Sequence, residues 1–240
     1  MSINSEIQRI KTNIASIYTS ADNMGAFLPQ TQNADNLSST IASISGGNYY
    51  VPVPFSINSG TVNINISNYV FDPRIKEMSI EKLFSYIFLD NSTITSADFS
   101  KLEKISAAQI FYYCFARTPL ISINFNSLEE VIGNSIFSTA FSSTSLTSVT
   151  FPKLKIINGG YIFNSAFWGC TSLTTISFPS LTPNSFGEYT NQFNNMLGSV
   201  TGCTVHFPSN LQSVIGSWSD VTKGFGGTNT IILFDLPATS

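Results

Sequence analysis

Charge is what this 240-residue chain has least of: Asp, Glu, Lys and Arg make up 10% of it, 14 acidic against 11 basic residues, for a formal net charge of -3. Its polar surface must therefore be built mainly from Ser, Thr and Asn. Without clustered Lys and Arg the dominant attraction to phosphate backbones is missing, so nucleic acid is not an expected partner. Long apolar runs are missing too. None approaches the roughly 18 residues needed to span a bilayer, so membrane insertion is not expected, and residues 1 to 14 lack the cationic-then-apolar order of a secretory signal.

Chemistry-bearing residues are equally scarce. The three cysteines, Cys114, Cys170 and Cys203, are an odd number without metal-ligand spacing. They suit buried thiols in an intracellularly assembled protein, with a Cys170 to Cys203 bridge as the alternative. His206 is the single histidine, and no Ser-His-Asp or Cys-His spacing can be argued around it. Glu129 and Glu130 are adjacent and should diverge, which does not suit an acid and base pair. Asp90, Asp98 and Asp220 form no calcium loop, and the glycines at 224 to 227 lack the Lys or helix of a phosphate cradle. The expectation is a protein that is not an enzyme, with no cofactor and no metal.

What is present is a repeat. Hydrophobic residues are 42% of the chain and Phe alone numbers 20, enough to bury a core. Phe99, Phe125, Phe151 and Phe178 follow one another at steps of 26, 26 and 27, and Leu102, Leu128, Leu154 and Leu181 at the same steps. Phe115, Phe141, Phe167 and Phe193 step by 26, as do Phe111, Phe137, Phe163 and Tyr189. Such periods mean stacked units, each too small to bury its own apolar face. Within a unit, Ser148 to Phe151 alternates as a strand does, with Val149 and Phe151 inward and Ser148 and Thr150 outward. Ile162, Phe163, Ala166 and Phe167 then recur at spacings of three and four, which predicts a short helical turn closing the coil. Cys114, Ala140 and Ala166 share a column there and predict close approach of neighbouring coils.

The segment Asn164-Ser-Ala-Phe-Trp-Gly-Cys-Thr-Ser-Leu-Thr-Thr-Ile-Ser-Phe-Pro179 resembles the BspA-type leucine-rich repeat, in its order Ala-Phe, Gly-Cys, Ser-Leu, strand, Phe, Pro. The resemblance covers roughly residues 84 to 215. Other repeats depart from it, with Ser100 and Asn126 where Pro152 and Pro179 stand. It implies surface recognition and gives no support to catalysis.

The ends differ from the repeat. Ile3, Ile7, Ile10, Ile14 and Ile17 recur at steps of 4, 3, 4 and 3, one at each a and d position of an opening helix. Ile at both positions favours three strands, hence a homotrimer, with packing on the chain's own surface as the alternative. Residues 1 to 46 resemble the N-terminal segment of many phage and prophage virion proteins, through Gly25-Ala-Phe-Leu-Pro29 and Asn36-Leu-Ser-Ser-Thr-Ile-Ala-Ser-Ile44. This resemblance implies anchoring to other virion proteins and assembly in the host cytoplasm. Val51, Val53 and Phe55, then Val62, Ile64 and Ile66, alternate about an Asn58-Ser59-Gly60 turn and predict a hairpin. Residues 230 to 234 predict a terminal strand.

The expected fold is thus mixed α+β: an N-terminal helical anchor and trimeric coiled coil over residues 1–46, a β-hairpin connector over 47–74, a leucine-rich-repeat-like solenoid over 75–215 and a C-terminal cap over 216–240. Two faces could bind. The outward strand positions Ser96, Asp98, Ser122, Asn124, Ser148, Thr150, Thr175, Ser177, Thr204 and His206 form a polar ladder able to exchange hydrogen bonds with sugar hydroxyls, plain solvation being the alternative. Tyr161 and Trp168 could form an aromatic patch for a sugar ring or a partner's pocket, with packing against the next coil as the alternative; Tyr112 and Tyr113 share that ambiguity. The expected function is a non-enzymatic virion fibre, spike or decoration that binds a host-surface glycan or protein. The rivals are a structural particle-surface protein without a ligand, or a bacterial adhesin, which would need an export signal or wall anchor.

Overall fold

A computed structural model describes residues 67–189, 191–216 and 224–239. The isoleucine stem Ile3, Ile7, Ile10, Ile14 and Ile17, the segment from Asn36 to Ile44 and the hairpin strands expected between Val51 and Ile66 lie outside the described residues.

The chain winds as a solenoid in which short parallel strands stack coil on coil. One face carries β1 (Asn68–Val70), β3 (Ser96–Asp98), β5 (Ser122–Asn124), β7 (Ser148–Thr150), β9 (Thr175–Ser177), β10 (Thr204–Pro208) and β11 (Ile231–Leu236). A second face carries β2 (Glu77–Met78), β4 (Lys104–Ile105), β6 (Glu130–Ile132) and β8 (Ile156–Asn158), paired in that order. The first face is two sheets, ordered β1-β3-β5 and β7-β9-β10-β11, with no ladder between β5 and β7. At that break Ile123 is only partly buried, whereas its counterparts Ala97, Val149 and Ile176 are buried.

The core is a set of aromatic rows. Phe99, Phe125, Phe151 and Phe178 form a single row with ring centroids 5.3, 5.7 and 5.4 Å apart and planes within 17°. Phe71 extends it at one end, and Phe207 and Phe234 at the other. A second row, Phe84, Phe111, Phe137 and Phe163, meets the first edge to face, as in Phe99 against Phe111 at 5.0 Å and 90°. Both preferred ring geometries are therefore used, each worth about 0.5–1.5 kcal/mol beyond burial. Leu102, Leu128, Leu154 and Leu181 are all fully buried in a further column, and so are Cys114, Ala140 and Ala166.

Two expectations are corrected. The segment holding Ile162, Phe163, Ala166 and Phe167 is a run of tight turns, not a helical turn. Every fourth residue has positive φ: Gln109, Tyr113 and Arg117; Ser135, Thr139 and Ser143; Tyr161, Ser165 and Gly169. Backbone N–H groups alternate between a carbonyl three residues back, as Cys114 to Phe111, and the next coil, as Phe115 to Ala140. Donors that a helix would satisfy along the chain are satisfied across coils instead. Inward pairs recur at an exact spacing of four, a repeat a helix of 3.6 residues per turn does not keep. Helix among the described residues is confined to the 3-10 turn Ser209–Leu211, Gln212–Ile215 and residues 224–225, so this part of the fold is a β-solenoid and not mixed α+β.

The second correction concerns the fifth coil. Phe193 stacks on Phe163 at 5.6 Å, not on Phe167, and Tyr189 leaves the interior to lie 42% exposed. Phe167 N donates to Met196 O. The row therefore steps by 30 residues there, four more than the period. One of the four enters before Phe178, where the first row already steps by 27, and three enter between Phe178 and Phe193.

All three cysteines are free and buried, so Cys170 and Cys203 are not bridged. Burial pushes all three thiols up, that of Cys203 to about 12. Iodoacetamide at pH 8 should then leave the native protein unmodified and add three groups after denaturation in urea, as read by intact mass, because the thiolate is the reacting form.

Candidate functional site

The strands place the ladder residues side by side. Ser96 pairs with Ser122 and Asp98 with Asn124 in the first sheet; Ser148, Thr175 and Thr204 align in the second, as do Thr150, Ser177 and His206. The break between β5 and β7 divides the ladder into these two tracts. Ser122, Ser148 and Thr150 are exposed and the others half-buried.

Not all of these groups are free. In the coils where Ser100 and Asn126 replace proline, Asp98 Oδ1 accepts from Ser100 N at 2.8 Å and Asn124 Oδ1 from Asn126 N at 3.0 Å. Where Pro152 and Pro179 stand there is no N–H to satisfy, and the preceding ladder residues are Thr150 and Ser177. Asp98 and Asn124 thus shape corners through the two-residue side-chain turn these residue types favour. The sheet interior does not need them, but the corner does. Ser96 donates to Asn68 Oδ1 at 2.6 Å, which leaves the second tract as the less committed half of the face.

That tract ends in a contact the sequence did not reveal. His206 Nδ1 lies 2.9 Å from both carboxylate oxygens of Asp235 on β11, and Ser177 flanks His206 on β9. Ser177, His206 and Asp235 therefore stand in a row, but no hydrogen bond joins Ser177 to His206, so the relay that would activate a serine is not made. The pair ties the terminal strand to its neighbour. Beyond it the ladder becomes apolar, with Ile231 and Leu233 both exposed at the sheet edge.

Tyr161 and Trp168 are both exposed, at 48% and 45%, but no ring contact joins them. An added Cβ at Gly198 would lie 2.3 Å from Trp168 Cδ1, so the indole rests on the backbone of the next coil. Tyr189 lies over Gly160 in the same way. Tyr161 and Trp168 are both surface features of one coil.

Tyr112 and Tyr113 do gather, with a third ring that sequence reasoning passed over. Tyr86 stacks on Tyr113 at 5.5 Å and 16°, and Tyr112 stands beside both at 5.4 and 4.7 Å. Tyr86 precedes Tyr113 by 27 residues, as Phe84 precedes Phe111; extending the alignment one coil earlier would have found it. Burial, then the two neighbouring phenols, raises the Tyr112 hydroxyl above its ordinary range. Next to the rings, Arg117 grips Asp90 through Nε at 2.6 Å and Nη2 at 2.7 Å and holds its carboxyl below the usual range.

On the second strand face Glu129 pairs with Lys155 at 2.9 Å and Glu130 with Lys104 at 3.0 Å. The two glutamates thus serve different partners across neighbouring coils, and Lys155 lowers the Glu129 carboxyl. Among the described residues no group of three His, Cys, Asp or Glu could hold a metal ion, and no helix is long and apolar enough to cross a membrane.

A family model described as the BspA type leucine rich repeat region matches residues 55–140 and 134–214, in 6 copies. No curated protein and no solved structure matches the chain significantly.

Proposed function

This chain belongs to the BspA-type leucine-rich-repeat family, and we propose that it is a non-enzymatic phage virion protein, a fibre, spike or decoration. In this reading residues 1 to 46 anchor it to other virion proteins as a homotrimer, and the solenoid is held out for a host-surface glycan or protein. The observation that carries the binding role is the parallel register of the strands, which fixes Ser148, Thr150, Thr175, Ser177, Thr204 and His206 on one face before any ligand arrives. Pre-ordered groups lose little freedom on binding. Three such faces on one stem gain avidity, so each can be weak. The N-terminal resemblance and the Ile3 to Ile17 stripe support the virion and trimer parts.

Light scattering on the full chain tests the stem. A homotrimer weighs three times the 26.1 kDa chain, and Ile7→Asn with Ile14→Asn should return it to a monomer whose solenoid melts at the same temperature, since a polar residue at two seam positions removes the apolar contact. A monomeric wild-type chain ends the trimer reading. Incubating labelled protein with host cells tests the rest: absence of binding favours a particle-surface protein with a purely structural role.

A further inference from the structure

We propose that Tyr86, Tyr112 and Tyr113 form a platform for one pyranose ring of a neutral glycan, an inference that rests on the solenoid being a binding scaffold but not on the stem or its oligomeric state. Interior ring rows continue from coil to coil, as in Phe111, Phe137 and Phe163 at 5.3 and 5.2 Å. The Tyr86 and Tyr113 stack repeats that geometry on the outside of the turn run and then stops. One coil further along, the equivalent positive-φ position is held by Thr139, and no ring meets Tyr113 from that side. The stack can be continued by a ring supplied from solution.

The chemistry around the stack selects the ligand. Tyr86 is 51% exposed and the other two rings are half-buried, and the Tyr112 hydroxyl interacts with those of Tyr86 and Tyr113, which gives the exposed ring a polar rim. A pyranose offers a C–H face to the rings and hydroxyls to that rim. A purely apolar side chain would desolvate the phenols without replacing their hydrogen bonds. Asp90 and Arg117 occupy the next positive-φ positions after Tyr86 and Tyr113 and neutralise one another, so no unmatched charge calls for an anionic sugar. Mutual packing of the three rings fixes their rotamers in advance, which lowers the entropy lost on binding.

The test uses the full chain and a panel of neutral oligosaccharides of glucose, galactose, mannose and N-acetylglucosamine, read by saturation transfer from the tyrosine ring protons and by titration. At least one member should bind with saturation from these rings. Tyr86→Ala and Tyr113→Ala should each weaken it by about tenfold or more, the loss expected of a central aromatic anchor. Tyr113→Phe, which keeps the ring, should cost less than about threefold, a difference of well under 1 kcal/mol. Tyr161→Ala should leave sugar binding unchanged, and the alanine variants should stay folded, with melting temperatures lowered by only a few degrees for the lost ring pair. The platform is overturned if no panel member binds, or if the alanine variants bind as the wild type does. Binding of host cells by wild type and by these variants alike overturns the platform and keeps the scaffold reading; binding of neither cells nor sugars removes both.

Discussion

Gly159→Ala is expected to lower the stability of the solenoid by about 3 kcal/mol or more, within the upper range for single substitutions. An added Cβ there would lie 2.1 Å from Gly133 O and 2.6 Å from Gly133 C, and φ is +152°. Both obstacles are backbone, so no side chain can swing away. Relief requires the coils to separate where Gly133 N donates to Asn158 O at 2.9 Å, and a close-packed interior transmits that displacement to the rings behind it. Gly133→Ala meets Ala107 C at 2.9 Å and should cost less; at Gly202 nothing lies within 4 Å, and the penalty is the positive φ of +73° alone, about 1 kcal/mol. Urea unfolding followed by circular dichroism should rank the three variants in that order. Equal losses at Gly159 and Gly202 would show that the coils are not in backbone contact.

The same contact explains what the sequence could show and what it could not. The Phe99 and Leu102 columns were legible because each coil turns its corners in a nearly constant number of residues, so a fixed period projects onto a straight row. That logic fails at Phe193, where four residues added over the preceding coil shift the register; counting by 26 places Tyr189 in the core, and the structure places it on the surface. The turn run was misread because its inward pairs at spacings of three and four also fit a helix. Its positive-φ positions hold Gln109, Tyr113, Thr139 and Ser165, where glycine or asparagine would have announced the turns. On the candidate faces, alternation gave the ladder correctly as an outward row, but could not show that Asp98 and Asn124 are engaged at corners, since that depends on an N–H absent from the coils with proline. Nor could a period of 26 pair His206 with Asp235, which lies 29 residues further on.

Phe151→Ala is expected to cost about 3–5 kcal/mol, the usual penalty for emptying a buried aromatic site, and to change how the protein unfolds as well as how easily. Phe151 is fully buried between Phe125 at 5.7 Å and Phe178 at 5.4 Å, with Phe163 against its edge at 5.4 Å. On its Phe125 side the first strand face carries no ladder, because β5 and β7 belong to different sheets. The joint between these two coils is held by the ring rows, the turn-run bonds from Phe137 to Ile162 and Phe141 to Ala166, and the β6 to β8 pairing. A solenoid's stability is a sum of coil and neighbour terms, so removing one ring at the joint that the first strand face does not bridge should uncouple the coils before it from those after it. Wild-type protein should then melt in one transition and the variant in two, measured by calorimetry, whereas Phe125→Ala should weaken the same joint from its other side and split the transition similarly. Phe178→Ala, at a joint where β9 is laddered to both β7 and β10, should lower the midpoint by a comparable amount and leave a single transition. A split transition in Phe178→Ala, or none in Phe151→Ala, would place the weak joint elsewhere.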